Sequence, residues 1–75
     1  MSEIKIKLVS VHDIKTFVEK VCRYDMDIDL SSGRYVVDAK SIMGIFSLDL
    51  ANPVTVTAHG DECQELFKDL EEFLI

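Results

Sequence analysis

Long apolar runs are missing from this chain of 75 residues. No stretch approaches the ~20 consecutive apolar residues that a membrane-spanning helix needs. The first residues, MSEIKIK, also lack the apolar core of a signal peptide. The sequence therefore predicts no membrane association and a cytoplasmic location.

Basic residues are scarce as well. Eight lysines and arginines stand against fourteen aspartates and glutamates, which gives a net charge of -6. A protein with this charge repels phosphate backbones. Nucleic acid is therefore excluded as an expected partner.

Only two cysteines are present, Cys22 and Cys63, and they lie far apart in the sequence. They form no CxxC motif for zinc or redox chemistry. Combined with His12 and His59 they show no spacing typical of metal ligands. We therefore expect no metal and no other cofactor, and two free, mostly buried thiols.

Repeats, linkers and low-complexity segments are absent too. Hydrophobic residues make up 48% of the chain, which is typical of a globular protein rather than a disordered one. A chain of 75 residues is near the lower limit for a single hydrophobic core. We expect one domain over residues 1–75.

A strand followed by a helix is predicted at the start of the chain. Residues 3–9, EIKIKLV, alternate between apolar and charged side chains, the period of a half-buried strand. Ser10 and Asp13 then fit the S-x-x-D/E capping pattern, with Ser10 as the N-cap and Asp13 reaching back toward it. Helical spacing of apolar residues predicts a helix to about Arg23, with a buried stripe of Ile14, Phe17, Val18 and Val21.

The next predicted element is a hairpin, and a strand and a helix end the chain. Aspartates alternate with apolar residues over 25–30, and RYVVDA (34–39) follows the turn residues SSG. The segment VTVTA (54–58) predicts a strand with valines on one face and threonines on the other. A last helix starts at Gly60-Asp61, with an apolar stripe of Cys63, Leu66, Phe67, Leu70, Phe73 and Leu74.

The stretch AKSIMGIFSLDLA (39–51) contains more apolar residues than one side of a short helix can hold. We expect this helix to end before Pro53, with an inward stripe made of Ile42, Ile45 and either Phe46 or Leu48. Met43 is then left outward beside Ser41, and an exposed methionine suits an adaptable protein contact. The stretch therefore predicts a docking surface.

The order of predicted elements is β-α-β-β-α-β-α. Because every predicted strand has a polar face, the sheet is expected to be antiparallel, with helices on one side and water on the other. The predicted fold class is α+β. It is an open-faced β-sandwich of a four-stranded antiparallel sheet with three helices on one face.

The segment KSIMGIFSL (40–48) resembles the signature around the regulatory serine of HPr, the histidine-containing phosphocarrier of the bacterial sugar phosphotransferase system. RYDMDIDL resembles the second strand of that family, and VTVTAHGDECQELFKDLEEFL resembles its last strand and helix. The resemblance implies an open-faced β-sandwich. It also implies protein partners from the phosphotransferase or catabolite-regulation system, which bind the short helix and the first turn of the first helix.

The resemblance fails at the family's other site, a Gly-hydrophobic-His-Ala-Arg-Pro-Ala loop. Counting without gaps back from Arg23 places Ser10 at the phospho-accepting histidine, His12 at the arginine and Asp13 at the proline. A serine hydroxyl cannot take a phosphoryl group as an imidazole does, and Asp13 repels the donor's phosphate. The pattern is similar to catabolite-repression HPr, a regulatory branch that lacks the histidine and keeps the serine, although that branch is expected to keep the arginine.

Three hypotheses about function follow. In the first, the chain is a regulatory or degenerate family member and not an enzyme, with Ser41 as phospho-acceptor and a partner-binding surface formed by His12, Lys40, Ser41, Met43 and Ser47. In the second, His12 is a displaced phospho-acceptor, although its geometry favours a solvated histidine in the first helical turn. In the third, the chain is an interaction module without phosphorylation, and Ser41 is only an N-cap.

Overall fold

The secondary structure follows the predicted order. The computed structural model describes residues 2–75. Its elements are β1 (Ser2–Ile6), α1 (Val11–Val21), β2 (Asp27–Ser32), β3 (Tyr35–Asp38), α2 (Ile42–Phe46), β4 (Val54–His59), α3 (Cys63–Asp69) and a 3₁₀ turn (Glu71–Phe73).

The four strands form one antiparallel sheet in the order β1-β4-β2-β3. Val56 of β4 is the central position, since it pairs with Ile4 of β1 on one side and with Leu30 of β2 on the other. Leu30 in turn pairs with Val37 of β3. Neighbours in the sheet are therefore mostly distant in the chain.

The core lies between the sheet and the helices. Along β4 the valines Val54 and Val56 are buried and the threonines Thr55 and Thr57 are half-buried, which is the predicted alternation. Buried side chains of the strands and the helices form one cluster, in which the rings of Phe17 and Phe73 meet edge to face at 6.2 Å. The predicted open-faced β-sandwich is confirmed.

A tight turn joins β2 to β3. Ser32 pairs with Tyr35, so that only Gly33 and Arg34 lie between the strands. Gly33 has a φ of 60°, and no other residue among 2–75 has a positive φ. Glycine at the first central position with a positive φ is typical of a type II′ hairpin turn, whose twist matches that of the strands.

All three helices are shorter than predicted. The last one, α3, begins at Cys63 rather than at Gly60-Asp61 and ends at Asp69, so the predicted apolar stripe through Leu74 extends beyond it.

The other two helices each end in a tight turn. At the end of α1, the Arg23 N–H bonds to the Lys20 carbonyl, three residues back. At the end of α2, the Leu48 N–H bonds to the Ile45 carbonyl in the same way. The predicted helix to Arg23 therefore stops at Val21, and α2 stops at Phe46.

Cys22 and Leu74 differ from the predicted burial, and Val18 of the predicted buried stripe is only half-buried. Cys22 is free, as predicted, but exposed, because it caps the end of α1. The tight turn after α2 buries Leu48 and leaves Phe46 49% exposed, so Leu48 completes the inward stripe. Leu74 is exposed as well, since the chain becomes extended there and pairs with Ile6 at the edge of β1.

In residues 2–75, none of the helices has the length and apolar character needed to cross a membrane.

Candidate partner-binding site

Side chains at the start of α1 cap the free backbone N–H groups there. Ser10 is the N-cap, in extended conformation, and its Oγ accepts a hydrogen bond from the N–H of Asp13 at 3.1 Å. The Asp13 carboxylate accepts one from the N–H of Val9 at 3.0 Å. The predicted capping pattern is confirmed, with the difference that Asp13 reaches Val9 rather than Ser10. A carboxylate thus lies at the positive end of this helix.

His12 is exposed in the first turn of α1, between the two capping residues. This is the solvated position that the sequence favours for it.

The start of α2 repeats the capping arrangement with one side chain. Ser41 is half-buried, and its Oγ accepts a hydrogen bond from the N–H of Gly44 at 3.2 Å. The N–H of Ser41 donates to the carbonyl of Asp38 at 3.0 Å, which fixes the turn between β3 and α2. Ser41 is therefore the N-cap of α2, the position that the sequence predicts for it.

Gly44 lets α2 lie directly on β3. A Cβ at this position would be 3.1 Å from Cβ of Val37 and 3.4 Å from Oγ of Ser41. The absence of a side chain therefore allows the backbone of α2 to approach the strand closely.

The outer side of α2 carries two of the predicted partner-binding residues. Met43 is 77% exposed, which confirms its predicted outward position. Ser47 is exposed at the end of the helix, and its hydroxyl donates to the carbonyl of Gly44 at 2.6 Å. Met43 is thus available for contact, while the Ser47 hydroxyl also stabilises the end of the helix.

Lys40 lies in a different environment. Its ammonium group donates to the backbone carbonyl of Tyr24 at 2.5 Å, and the residue is half-buried. It lines a recess with Asp27, Ile28, Asp29, Asp38 and His59, at one end of the sheet. The hydrogen bond between Lys40 and Tyr24 connects the loop after α1 to the loop before α2.

An apolar groove separates the loop before α1 from the end of α2. It has a volume of about 430 Å³ and is lined by Lys7, Leu8, Val9, Ser10, Val11, Ile14, Phe46, Leu50 and Ala51. The ammonium group of Lys7 donates to the carbonyl of Ala51, which connects the two walls. Three apolar side chains on this groove stay exposed: Val9 (79%), Val11 (55%) and Phe46 (49%).

Sequence reasoning missed these three groove residues. The alternation over 3–9 predicts a strand that includes Val9, whereas β1 ends at Ile6. The capping pattern includes Val11, and helical spacing makes Phe46 one of two candidates for the inward stripe. The available signal was the pair of valines on either side of the cap Ser10, neither of which is at a core position of α1.

The groove is lined mostly by apolar side chains. Lys7 is the only ionisable side chain lining it, and its ammonium group is engaged with Ala51. Among residues 2–75 no group of three histidine, cysteine or acidic side chains could hold a metal ion. An apolar groove with exposed aliphatic and aromatic walls can take apolar side chains of another protein.

The fold and the two capped helix starts define a small protein of the HPr class, with the sheet order β1-β4-β2-β3 and the helices on one face. The family model described as "PTS HPr component phosphorylation site" matches residues 11–75. The chain belongs to this HPr family. The match includes α1 and α2 and begins directly after Ser10.

Solved structures of HPr proteins superpose on this chain. HPr-C-His from Thermoanaerobacter tengcongensis is 30% identical with a TM-score of 0.84, over 96% of this chain and 89% of that one. The phosphocarrier HPr from Bacillus anthracis str. Ames is 27% identical with a TM-score of 0.76, over 99% of this chain and 94% of that one.

A catabolite-repression protein is similar as well. Crh from Bacillus subtilis is 29% identical with a TM-score of 0.69, over 96% of this chain and 88% of that one, and its structure is described as a dimer with a swapped domain. These two HPr proteins and the catabolite-repression protein are thus similar to this chain at nearly equal identity.

Proposed function

We propose that this chain is a regulatory or degenerate HPr-like protein without histidine phosphocarrier activity. It acts in the cytoplasm as one domain over residues 1–75, binding protein partners of the phosphotransferase or catabolite-regulation system, and it is not itself an enzyme. Its partners contact α2 around Ser41 and the apolar groove beside it.

The closed start of α1 is the observation that carries this proposal. Histidine is absent at position 10, and the hydroxyl of Ser10 is occupied by the N–H of Asp13. The carboxylate of Asp13 lies where a transferred phosphate would need positive potential and free N–H groups. Asp13 therefore supplies the helix end with the negative charge that an incoming phosphate would have to displace.

Ser41 is the proposed phospho-acceptor. Its Oγ is bonded to the N–H of Gly44, and a phosphate on that oxygen could accept the same hydrogen bond at the helix start. The fold is retained because the added charge meets the favourable end of the helix. What changes is the surface beside the exposed Met43.

The partner-binding surface combines predicted and observed residues. His12 and Met43 are exposed on α1 and α2, and Ser47 is exposed at the end of α2. The groove residues Val9 and Phe46 extend this surface with apolar side chains. Lys40 contributes once its ammonium group leaves the carbonyl of Tyr24.

Two incubations test the proposal. The chain is treated with phosphoenolpyruvate and the general enzyme of the phosphotransferase system, and separately with ATP and an HPr kinase, followed by intact mass measurement and site mapping. We expect no acid-labile phosphate in the first and one acid-stable phosphate in the second, on Ser41. Ser41→Ala should abolish the second signal, and Ser32→Ala, on β2 and away from this surface, should keep it. Stoichiometric phosphate on His12 contradicts the proposal.

One observation favours a second candidate function. His12 is exposed in the first turn of α1, next to the position of the family's acceptor, so a donor protein can reach its ring. A phosphotransfer component using His12 would give an acid-labile phosphate in the first incubation, and His12→Gln would remove it. If neither incubation adds phosphate, the chain is an interaction module in which Ser41 is only a cap.

A further inference from the structure

The strand β3 forms an exposed edge of the sheet. Tyr35 is 73% exposed and Val36 is 63% exposed, although both are apolar strand formers. At the opposite edge, Leu74 pairs with Ile6 and the N–H of Lys7 bonds to the carbonyl of Phe73, so the chain's own end covers part of β1. The sequence YVVD of β3 has no lysine, proline or bulge, and its single charged residue, Asp38, lies at its end.

Backbone groups of β3 point outward at defined positions. The N–H of Ala39 donates to the carbonyl of Ile28, so Ala39 and Ile28 form a hydrogen-bonded pair of the antiparallel ladder. Such pairs alternate along an antiparallel ladder, so Val37 and Tyr35 also direct their N–H and C=O groups toward β2. The intervening residue, Val36, therefore directs both of its groups away from the sheet.

The directions of the backbone groups next to Val36 and Val37 follow from peptide geometry. In a trans peptide the C=O and the following N–H point in opposite directions, and residues 2–75 contain no cis bond. The carbonyl of Arg34 and the N–H of Asp38 therefore point outward as well. The carbonyl of Asp38 is not free, because it accepts the N–H of Ser41.

A second copy of β3 is complementary to this pattern. When two copies run antiparallel with Val36 opposite Val36, Arg34 lies opposite Asp38 and Tyr35 opposite Val37. The two Val36 residues exchange their N–H and C=O groups, and each Asp38 N–H faces an Arg34 carbonyl. Arg34 and Asp38 carry opposite charges. Oδ1 of Asp38 accepts the N–H of Lys40 at 2.9 Å within its own chain, so the ion pair with Arg34 uses Oδ2. An aromatic residue facing a β-branched one is a favourable cross-strand pair.

We propose that two copies of this chain associate through β3 about a twofold axis at Val36, which joins their sheets into one antiparallel sheet of eight strands. The occupant of this edge is a second copy because Arg34, directly before β3, and Asp38, at its end, lie opposite each other only in the symmetric register. The interface is isologous, since the same residues contribute from both chains.

The association is expected to be weak. One short strand on each side gives an interface below the size of stable complexes, and both copies carry a net charge of -6. Sedimentation equilibrium from about 20 µM to about 1 mM should show the mass rising from 8.5 kDa toward twice that value, as for a transient dimer. A constant mass of 8.5 kDa at the highest concentration overturns the proposal.

Val36→Pro tests the backbone pairing. Proline removes an N–H that the isolated chain does not use, so the monomer should keep its sheet, while the dimer loses its central hydrogen bonds. We expect dimer formation to be lost, with the fold checked by circular dichroism and thermal unfolding. A dimer that persists in this variant is held by another surface and refutes the β3 interface.

Charge reversal tests the register. Arg34→Asp places like charges opposite each other and should weaken the dimer at least tenfold, as should Asp38→Arg, whereas an equimolar mixture of the two variants restores both ion pairs. Lys5→Asp on β1 is the matched control, because it changes the net charge as Arg34→Asp does without touching β3. If Lys5→Asp weakens association equally, or if the mixture of variants does not associate, the register is wrong. If Asp38→Arg does not fold, the dimer affinities of Arg34→Asp and Lys5→Asp are compared instead, and equal affinities contradict the proposed register.

Discussion

Ser10 and Asp13 hold the first turn of α1 together, because the N–H of Asp13 donates to Oγ of Ser10 at 3.1 Å. The carboxylate of Asp13 completes the arrangement by accepting the N–H of Val9 at 3.0 Å. In this family the equivalent of position 10 is expected to carry the phospho-accepting histidine. Here the same position stabilises the helix start.

Ser10→Ala should lower the free energy of unfolding by ~0.5–2 kcal/mol, because it removes the acceptor for the Asp13 N–H. Ser10→Asn is the matched control, since asparagine is an equally good N-cap and should retain most of the stability. Urea unfolding followed by circular dichroism measures both. A change near zero for Ser10→Ala would place the start of the helix elsewhere.

The order of elements could be predicted because it is encoded locally. Alternation at residues 3–9 and 54–58 and the capping residues Ser10 and Ser41 are short-range patterns, and each marks its element in the structure. The order β1-β4-β2-β3 could not be predicted in the same way. It depends on pairing between Ile4 and Val56, and no local period specifies contacts across that distance.

The candidate site was predicted on α2 only in part. Met43 could be placed outward from helical spacing alone. The choice between Phe46 and Leu48 depended on where α2 ends, and a tight turn at Ser47 decided it. The groove itself brings Val9 next to Phe46, so its existence follows from tertiary packing and not from either segment by itself.

Three truncations to alanine near α2 should therefore differ in cost. Leu48→Ala should lower the free energy of unfolding by ~2–5 kcal/mol because the side chain is buried, whereas Met43→Ala should change it by less than ~0.5 kcal/mol. Phe46→Ala should fall between them, since half of the ring is exposed. Chemical denaturation of the three variants checks this order. If Met43→Ala were as costly as Leu48→Ala, the outward position of Met43 would be wrong.

Partner binding should show a different order from stability. Met43→Ala and Phe46→Ala remove exposed side chains, so each should weaken binding of an HPr kinase or regulator that recognises this chain. Ser41→Asp adds a carboxylate at the start of α2 and should change stability by less than ~1 kcal/mol while altering the binding. Isothermal titration calorimetry with the folded variants measures the affinity of each one for the kinase or regulator. Ser32→Asp on β2 is a control for added charge away from α2.

Gly60→Ala should be destabilising for a steric reason. A Cβ at position 60 would lie 2.6 Å from Cβ of Met26 and 2.8 Å from its sulfur. The Cβ of Met26 is fixed to the backbone, so the clash moves the chain and should cost ~1–3 kcal/mol. The same change in a Met26→Gly background should cost less, and the difference measured by a double-mutant cycle isolates the contact. Equal costs in both backgrounds would show that the clash is relieved elsewhere.

Tyr24 should make stability depend on pH in the alkaline range. Its hydroxyl donates to the carboxylate of Asp69 at 2.5 Å. This hydrogen bond, together with burial and the negative charge of Asp69, raises the pKa of Tyr24 from 10.0 to about 12. The folded state therefore keeps a proton that the unfolded state loses, so the contribution is complete below pH 10.0 and is lost as pH rises to about 12.

Two variants separate this contribution from general alkaline denaturation. The chain has two tyrosines, and Tyr35→Phe leaves only Tyr24. The absorbance of tyrosinate then reports the titration of Tyr24 alone, with an expected pKa of about 12. Tyr24→Phe removes the titrating group. Since phenylalanine has no proton to lose, the free energy of unfolding of this variant should fall less between pH 10.0 and about 12 than that of the unmodified chain. Parallel pH profiles of the two proteins would mean that the hydrogen bond to Asp69 is not kept in solution.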